Sequence, residues 1–252
     1  MIIDCDTHIS PGGGEFSLER HLEDMEKAGV HRTLCWLSPH HYADADGLER
    51  GNRYVYEAAK KHPDKIIGFG WADPTFGLDH ARDAATRCVE QFGFFGVKMN
   101  GAQNDFTIDD PEVGLPLAEH IAGLGVMLAF HIGPDAYERT HPLRAARIAR
   151  GIPGTPVLMV HMGMTNTDMN GAVIEAAVEC PNMVLVGSAT TYGAVLRAVR
   201  ELGAERVLFG SDRPFTKMKV MRAVYEAGLE DEISRKEMAL VMGGNAERLF
   251  AR

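Results

Sequence analysis

The sequence predicts an α/β fold, a single (β/α)8 TIM barrel over residues 1–252. Three observations predict it. Short apolar runs alternate with amphipathic segments from end to end, eight strand–helix units in all, a pattern that calls for parallel strands covered on both faces. The length of 252 residues suits one closed barrel of this kind. No linker rich in Pro, Gly or Ser divides the chain. The one glycine cluster, Gly12 to Gly14, lacks the Gly-x-Gly-x-x-Gly spacing with which an open doubly wound sheet would cradle phosphates, and it reads as a flexible loop.

Each element has its own warrant. Met1, Ile2 and Ile3 open the first strand as an apolar run without a turn signal. Ser17 is the expected N-cap of a helix over 17–28, with Gly29 just past its end. Residues 32–37 form the second strand, and 48–62 the second helix, which Pro63 stops. The third strand covers 66–71 and its helix 79–91; the fourth covers 96–99, followed by a polar loop and a helix over 113–124. The remaining strands are expected at 126–131, 157–161, 184–187 and 207–210, with helices at 142–150, 171–179, 192–202 and on to the C-terminus. Trp36, Trp71, Phe69 and Phe130 fall on strands and read as core filling, whereas His21, His31, His62, His80 and His120 fall on helices or their ends and read as surface.

Composition excludes several function classes. The net charge is −9, and Lys and Arg gather into no stripe, which argues against nucleic acid or an anionic membrane as the main partner. No apolar run is long enough to span a bilayer, and Ile3 is followed at once by Asp4 and Asp6, which does not suit a signal peptide. Cys5, Cys35, Cys88 and Cys180 are scattered, with no Cys-x-x-Cys pair, and read as buried thiols in a reducing cytoplasm. A small molecule is the expected partner. A homo-oligomer is expected from the fold class.

In such barrels chemistry sits at the C-terminal ends of the strands. On a regular strand Asp4, Asp6 and His8 share one face, and three ionisable groups there are costly to bury unless something pairs with them. A divalent cation accepts both carboxylate oxygen and neutral imidazole nitrogen. Lys98 lies on the fourth strand, His131 ends the fifth, His161 the sixth, and Asp212 the eighth, followed by Arg213. One histidine after an apolar run is usually a hydrogen-bonded core residue; ionisable residues at five of eight strand ends favour a metal site. His40 and His41 look like a dyad, but neighbours on a strand point apart, so a loop role is expected.

These segments resemble the amidohydrolase superfamily. Asp4-Cys5-Asp6-Thr7-His8 is similar to its first-strand Asp-x-His-x-His signature, with Asp6 in place of the first signature histidine. Residues 93–98, Val160-His161-Met162-Gly163, Phe209-Gly210-Ser211-Asp212-Arg213-Pro214 and Met242-Gly243-Gly244-Asn245 resemble, in order, the amidohydrolase-related branch that includes aminocarboxymuconate-semialdehyde decarboxylase. The resemblance implies metal ligation by Asp6, His8 and His131, with Asp212 completing or bordering the shell, and His161 acting on the water or substrate. It implies one divalent metal, zinc first and manganese second, since a carboxylate at position 6 makes the site harder. It also leaves two roles for Lys98: a carboxylated bridge between two metals, or a cation pairing with Asp4, Asp6 or a substrate carboxylate.

Chemically, such a site can lower the pKa of a bound water from 15.7 to roughly 7. Asp212 could take the water proton and His161 could hydrogen-bond a carbonyl oxygen as it gains charge. Hydrolysis of a small anionic ester, amide or lactone is therefore the leading expectation. A metal-dependent, non-oxidative decarboxylase of a small carboxylic acid is the alternative, and a non-catalytic ligand-binding barrel a third. Lys98, Arg213 and Asn100 are the expected substrate-binding residues; Arg213 could instead cap a loop. Asn104 and Asn166 are weighed as pocket lining against ordinary turn chemistry.

Overall fold

The computed structural model describes residues 1–38 and 41–251. Among these residues nine strands are parallel wherever they pair: β1 (Ile3–Ile9), β2 (Arg32–Leu37), β3 (Ile66–Gly68), β4 (Gly70–Ala72), β5 (Gly96–Met99), β6 (Met127–His131), β7 (Val157–Val160), β8 (Met183–Val186) and β9 (Val207–Leu208). They form two runs, β1-β2-β3 and β4 to β9 in order. The runs are one closed barrel. β3 and β4 occupy a single barrel position on either side of Phe69, whose N–H donates to the Cys35 carbonyl (3.0 Å), so the strand expected over 66–71 is one strand in two halves.

The second seam builds the site. β9 is short, but its continuation pairs with β1: Cys5 N–H donates to Phe209 O (2.9 Å), Asp212 N–H to Asp6 O (2.8 Å) and His8 N–H to Arg213 O (2.8 Å). Residues from the two ends of the chain thus become neighbours. Gly210 permits this approach, because a Cβ there would lie 2.8 Å from Val186 Cγ1 and 3.2 Å from Asp6 Cβ. The strand expected to be apolar at 1–3 continues through Asp4, Asp6 and His8 to Ile9, and every residue of β1 is buried. A register shift between Asp4 and Thr7 marks a bulge in its pairing with β2, a feature common beside active sites.

Helices wrap the barrel much as the periodicity predicts. α1 (Leu18–Ala28) is capped by Ser17, whose Oγ accepts from Arg20 N–H (3.2 Å), and ends at Gly29 with φ 63°. α2 (Ala45–Lys61), α3 (Leu78–Glu90) and α4 (Gly114–Gly123) follow β2, β4 and β5; α5 (Tyr137–Thr140) and α6 (Pro142–Gly151) follow β6. α7 (Thr167–Glu179) starts four residues before the expected 171, because the Asn166 side chain accepts from Met169 N–H (3.0 Å). Asn166 is therefore a helix cap, not pocket lining. α8 (Tyr192–Leu202) and α9 (Met218–Leu229) complete the ring, and two short helices with a π-turn between them close the C-terminal end.

His21 departs from its expected surface position. It is fully buried on the inner face of α1, with Nε2 2.8 Å from Thr33 Oγ1. Amphipathic spacing alone does not reveal a histidine that satisfies a strand hydroxyl. All four cysteines are buried and free. Among the described residues, no helix is long and apolar enough to cross a membrane.

Candidate metal centre and active site

A cavity of about 260 Å³ opens at the C-terminal ends of the strands. His8, Lys98, Asn100, His131, His161 and Asp212 all line it, so six side chains singled out in the sequence converge. Asp6 lies directly beneath. It is fully buried, and its Oδ1 has no hydrogen-bond partner, while His8 Nε2 and Lys98 Nζ each stand 3.8 Å away. Ligand atoms of Asp6, His161 and Asp212 all fall within 4.8 Å of one another. His8 Nε2 is 3.6 Å from Asp212 Oδ1. Ligand bonds to zinc are about 2.0–2.2 Å, so donors about 3–4.4 Å apart can share an ion. The orphaned, buried Asp6 oxygen and this mixed carboxylate–imidazole set fit a divalent metal.

Tautomers follow from the neighbours. His8 Nδ1 is 2.9 Å from the Leu37 carbonyl, which can only accept, so Nδ1 carries the proton and Nε2 is the acceptor, with one lone pair. Trp36 Nε1–H donates to that lone pair at 3.2 Å. Ser188 Oγ donates to Asp6 Oδ2 in a short hydrogen bond, which commits its one proton; His161 Nδ1, 2.9 Å from Ser188 Oγ, must then donate. His161 Nε2 is left as an acceptor. Burial pushes the His8 imidazole down to about 3, with the Lys98 charge adding to it, and burial and then His131 push His161 well below its ordinary range. Both rings are neutral ligand-type imidazoles at physiological pH.

The backbone aims two of these groups. His161 has φ 73° and Asp212 φ 62°, left-handed values that cost a non-glycine residue about 1–2 kcal/mol. The turn after His161 is held by Asn170 Nδ2, which donates to Met162 O (2.6 Å) and Met164 O (3.1 Å). Strain of this kind clusters where side-chain direction matters.

Lys98 stands in an aromatic frame. Its Nζ is 3.8 Å from the Trp36 ring centroid and 5.3 Å from that of Trp71, and the residue is 1% exposed. The two indoles read as core are therefore also walls around the cation. Burial lowers the Lys98 pKa, while Asp6 and Asp212 act to raise it. Burial and then the Asp6 charge hold the Asp212 carboxyl well above its ordinary range, against the pull of Lys98. Trp71 is itself fixed by Asn104, whose Oδ1 accepts from Trp71 Nε1–H (2.9 Å), and Asn104 Nδ2 donates to Tyr42 Oη (2.6 Å).

One expected residue stands elsewhere. Arg213 is buried but outside this cavity: its Nε and Nη2 donate to Asp24 Oδ2 at 3.1 and 3.0 Å, and Nη1 donates to His8 O (3.4 Å). Alternation along the chain turns it away from its neighbour Asp212, so it clamps α1 to the seam rather than facing the cavity. His131 lines the cavity, yet its Nε2 is 2.8 Å from Asp135 Oδ1, and His161 rather than His131 joins the tight donor group. Asn100 Oδ1 accepts from Ala102 and Gln103 N–H (3.1 and 3.2 Å), which shapes the loop after β5. His40 lies outside the described residues, and His41 packs its ring 4.4 Å from that of Phe16. Sequence reading missed Ser188, Gln103, Asp135, Met164 and Phe215. Ser188 alone carried a usable signal, as a hydroxyl two residues past β8.

Asp4, one layer below, is buried and raised to about 7 by burial from an ordinary 3.8. Its Oδ1 accepts from Ser211 N–H (2.8 Å), while Oδ2 has no partner. Between about pH 4 and pH 7 the folded chain keeps a proton that the unfolded chain releases, so stability falls as pH rises through that window. Asp4→Asn is expected to flatten this slope, as urea unfolding of the metal-free protein at pH 5 and pH 8 will show.

A parallel barrel with a carboxylate–imidazole cluster at its C-terminal strand ends is the architecture of a TIM-barrel enzyme, with residues that fit a metal. The chain belongs to the amidohydrolase family, whose model matches residues 3–252. Gamma-resorcylate decarboxylase of Polaromonas sp. (strain JS666) is 24% identical over 286 residues, covering 92% of this chain and 86% of that protein. A dihydroxybenzoic acid decarboxylase from Polaromonas sp. JS666, solved with manganese and the inhibitor 2-nitroresorcinol, superposes with a TM-score of 0.75 at 20% identity, covering 99% of this chain and 96% of that one. An uncharacterised TIM-barrel protein from Bordetella bronchiseptica gives a TM-score of 0.79 at 21% identity, with 99% of each chain covered. The two structures establish the fold.

Proposed function

We propose that the protein is a divalent-metal-dependent, non-oxidative decarboxylase of a small aromatic acid. One observation carries this reading: Asp212, a carboxyl group whose proton affinity burial raises, lines the same cavity as Lys98. A proton donor and a carboxylate-binding cation share one small chamber. The decarboxylase relatives supply the substrate class. Hydrolysis, the leading expectation from sequence, is set aside for the alternative, because the relatives that align with most of this chain are decarboxylases.

Asp6, His161 and Asp212, with His8 beside them, are the residues that would hold the metal. When bound, the ion would supply positive charge to orient an anionic substrate and to stabilise charge that develops on it. The chain's residues do the rest. Lys98 pairs with the substrate carboxylate between its two indoles. Asp212 delivers a proton to the ring carbon that bears the carboxylate; the C–C bond then breaks, its electron pair restores the ring, and CO2 leaves. Solvent returns the proton to Asp212. Neutral His8 and His161 add no competing charge, and Phe215, its ring 5.4 Å from His8, lines the chamber.

The reading treats residues 1–252 as one catalytic domain, acting in the cytoplasm on a small molecule and assembling as a homo-oligomer; its buried free cysteines support a reducing compartment. The test is direct. Metal-supplemented protein is incubated with hydroxybenzoates on one side and with aryl esters and lactones on the other. Release of CO2 with formation of the phenol is expected. Turnover of an ester or lactone with no CO2 from any acid overturns the reading.

A further inference from the structure

The carboxylate of Asp135 has no task in this scheme. Asp135 lies on the short 3-10 turn Pro134–Ala136 after β6 and lines the chamber with Lys98 and Asp212. Its Oδ1 is 2.8 Å from His131 Nε2, and its side chain is 44% exposed. A carboxylate has about four acceptor positions, so one bond to His131 leaves capacity for a ligand donor. The placement is built into the loop. A Cβ at Gly133 would lie 2.5 Å from Asp135 Oδ1, 2.8 Å from His131 Nε2 and 3.0 Å from Met164 Sδ, so only glycine there lets the three converge.

Charge then constrains the ligand. Among the described residues that line the chamber, Lys98 is the one lysine or arginine, and Arg213 is committed to Asp24. One ligand carboxylate finds a cation at Lys98 or at the metal-holding residues; a second, brought instead near Asp135, finds another anion. A hydroxyl or amino group at that place instead finds an acceptor. We propose that Asp135 is a specificity-determining residue: it accepts a hydrogen bond from a hydroxyl or amino substituent of an aromatic monocarboxylate and rejects aromatic dicarboxylates. The substrate class rests on the decarboxylase reading above; the discrimination rests on Asp135, Gly133 and Lys98. Selectivity of this kind combines an attraction with a built-in repulsion.

The experiment is calorimetric titration of the full-length, manganese-supplemented protein with benzoate, the three monohydroxybenzoates, 3-aminobenzoate and isophthalate. Native protein, Asp135→Asn and Asp135→Ala are compared, each checked for a native-like thermal midpoint. Native protein is expected to bind its best hydroxy- or aminobenzoate at least about tenfold tighter than benzoate or isophthalate. Asp135→Asn keeps an acceptor but loses the charge, so it should hold the hydroxyl preference and gain about tenfold for isophthalate. Asp135→Ala should lose the hydroxyl preference as well. An unchanged ranking in both variants overturns the assignment, as does equal affinity of native protein for isophthalate. CO2 release is measured separately on the native protein. Expected rankings without CO2 sink the decarboxylase reading and keep Asp135; CO2 release with unchanged rankings does the reverse. No binding of any benzoate sinks both.

Discussion

Asp212→Asn is expected to lower kcat for decarboxylation by about 10²- to 10⁴-fold, the range that general acid catalysis contributes, while KM changes by no more than about threefold. Asparagine matches the carboxylate in size and, like aspartate, tolerates the left-handed backbone at this position (φ 62°), so the turn should survive. What it cannot do is give up a proton to carbon. Loss in kcat without loss in KM is the signature of an interaction made in the transition state alone. The native kcat should also fall at alkaline pH, as Asp212 loses the proton that burial and Asp6 help it keep. The variant's residual rate should show no such fall. Metal content, measured by elemental analysis on both proteins, separates the two roles given to this residue. A metal-replete variant with native kcat would remove Asp212 from proton transfer.

How much of this was legible beforehand depends on what each residue answers to. β7 and β8 read directly, because a parallel strand buried on both faces is an unbroken apolar run (Val157–Val160, Met183–Val186). β1 carries Asp4, Asp6 and His8 as the spacing predicts; its register shift against β2 between Asp4 and Thr7 is a tertiary fact that periodicity does not carry. Convergence of Lys98, His131, His161 and Asp212 on one chamber followed from the rule that strand ends face one mouth. Direction at the atomic level did not follow. Arg213 adjoins Asp212 in sequence yet bonds Asp24 across the seam, and the Nε2 of His131 faces Asp135. Ser188, which fixes the His161 tautomer, was missed, although its hydroxyl stands two residues past β8. The choice between hydrolysis and decarboxylation was not legible in any spacing; it leans on relatives that are decarboxylases.

Removing the metal is expected to abolish turnover and to lower the thermal midpoint by about 5–10 °C relative to protein held at a hundred times the dissociation constant. An ion that binds only the folded state contributes about 2.7 kcal/mol at that concentration. For a chain of this size each kcal/mol is worth about 2–4 °C. The structural reason lies in Asp6. Its Oδ1 is buried without a hydrogen-bond partner, and the second carboxylate, Asp212, belongs to the same tight group as Asp6 and the neutral imidazole of His161. Lys98 at 3.8 Å offsets part of that negative charge but leaves the oxygen uncoordinated. Asp6→Ala should therefore erase the metal-dependent shift and the activity together, while retaining a cooperative unfolding transition. Differential scanning calorimetry after chelator dialysis, then after adding back manganese or zinc, reads both effects. Two carboxylate donors make the set oxygen-rich, so manganese should restore turnover at least as well as zinc. Activity that survives exhaustive chelation, with no metal-dependent shift, would leave the orphaned Asp6 oxygen as the partner of Lys98 alone and the chemistry to Asp212 as a metal-free acid.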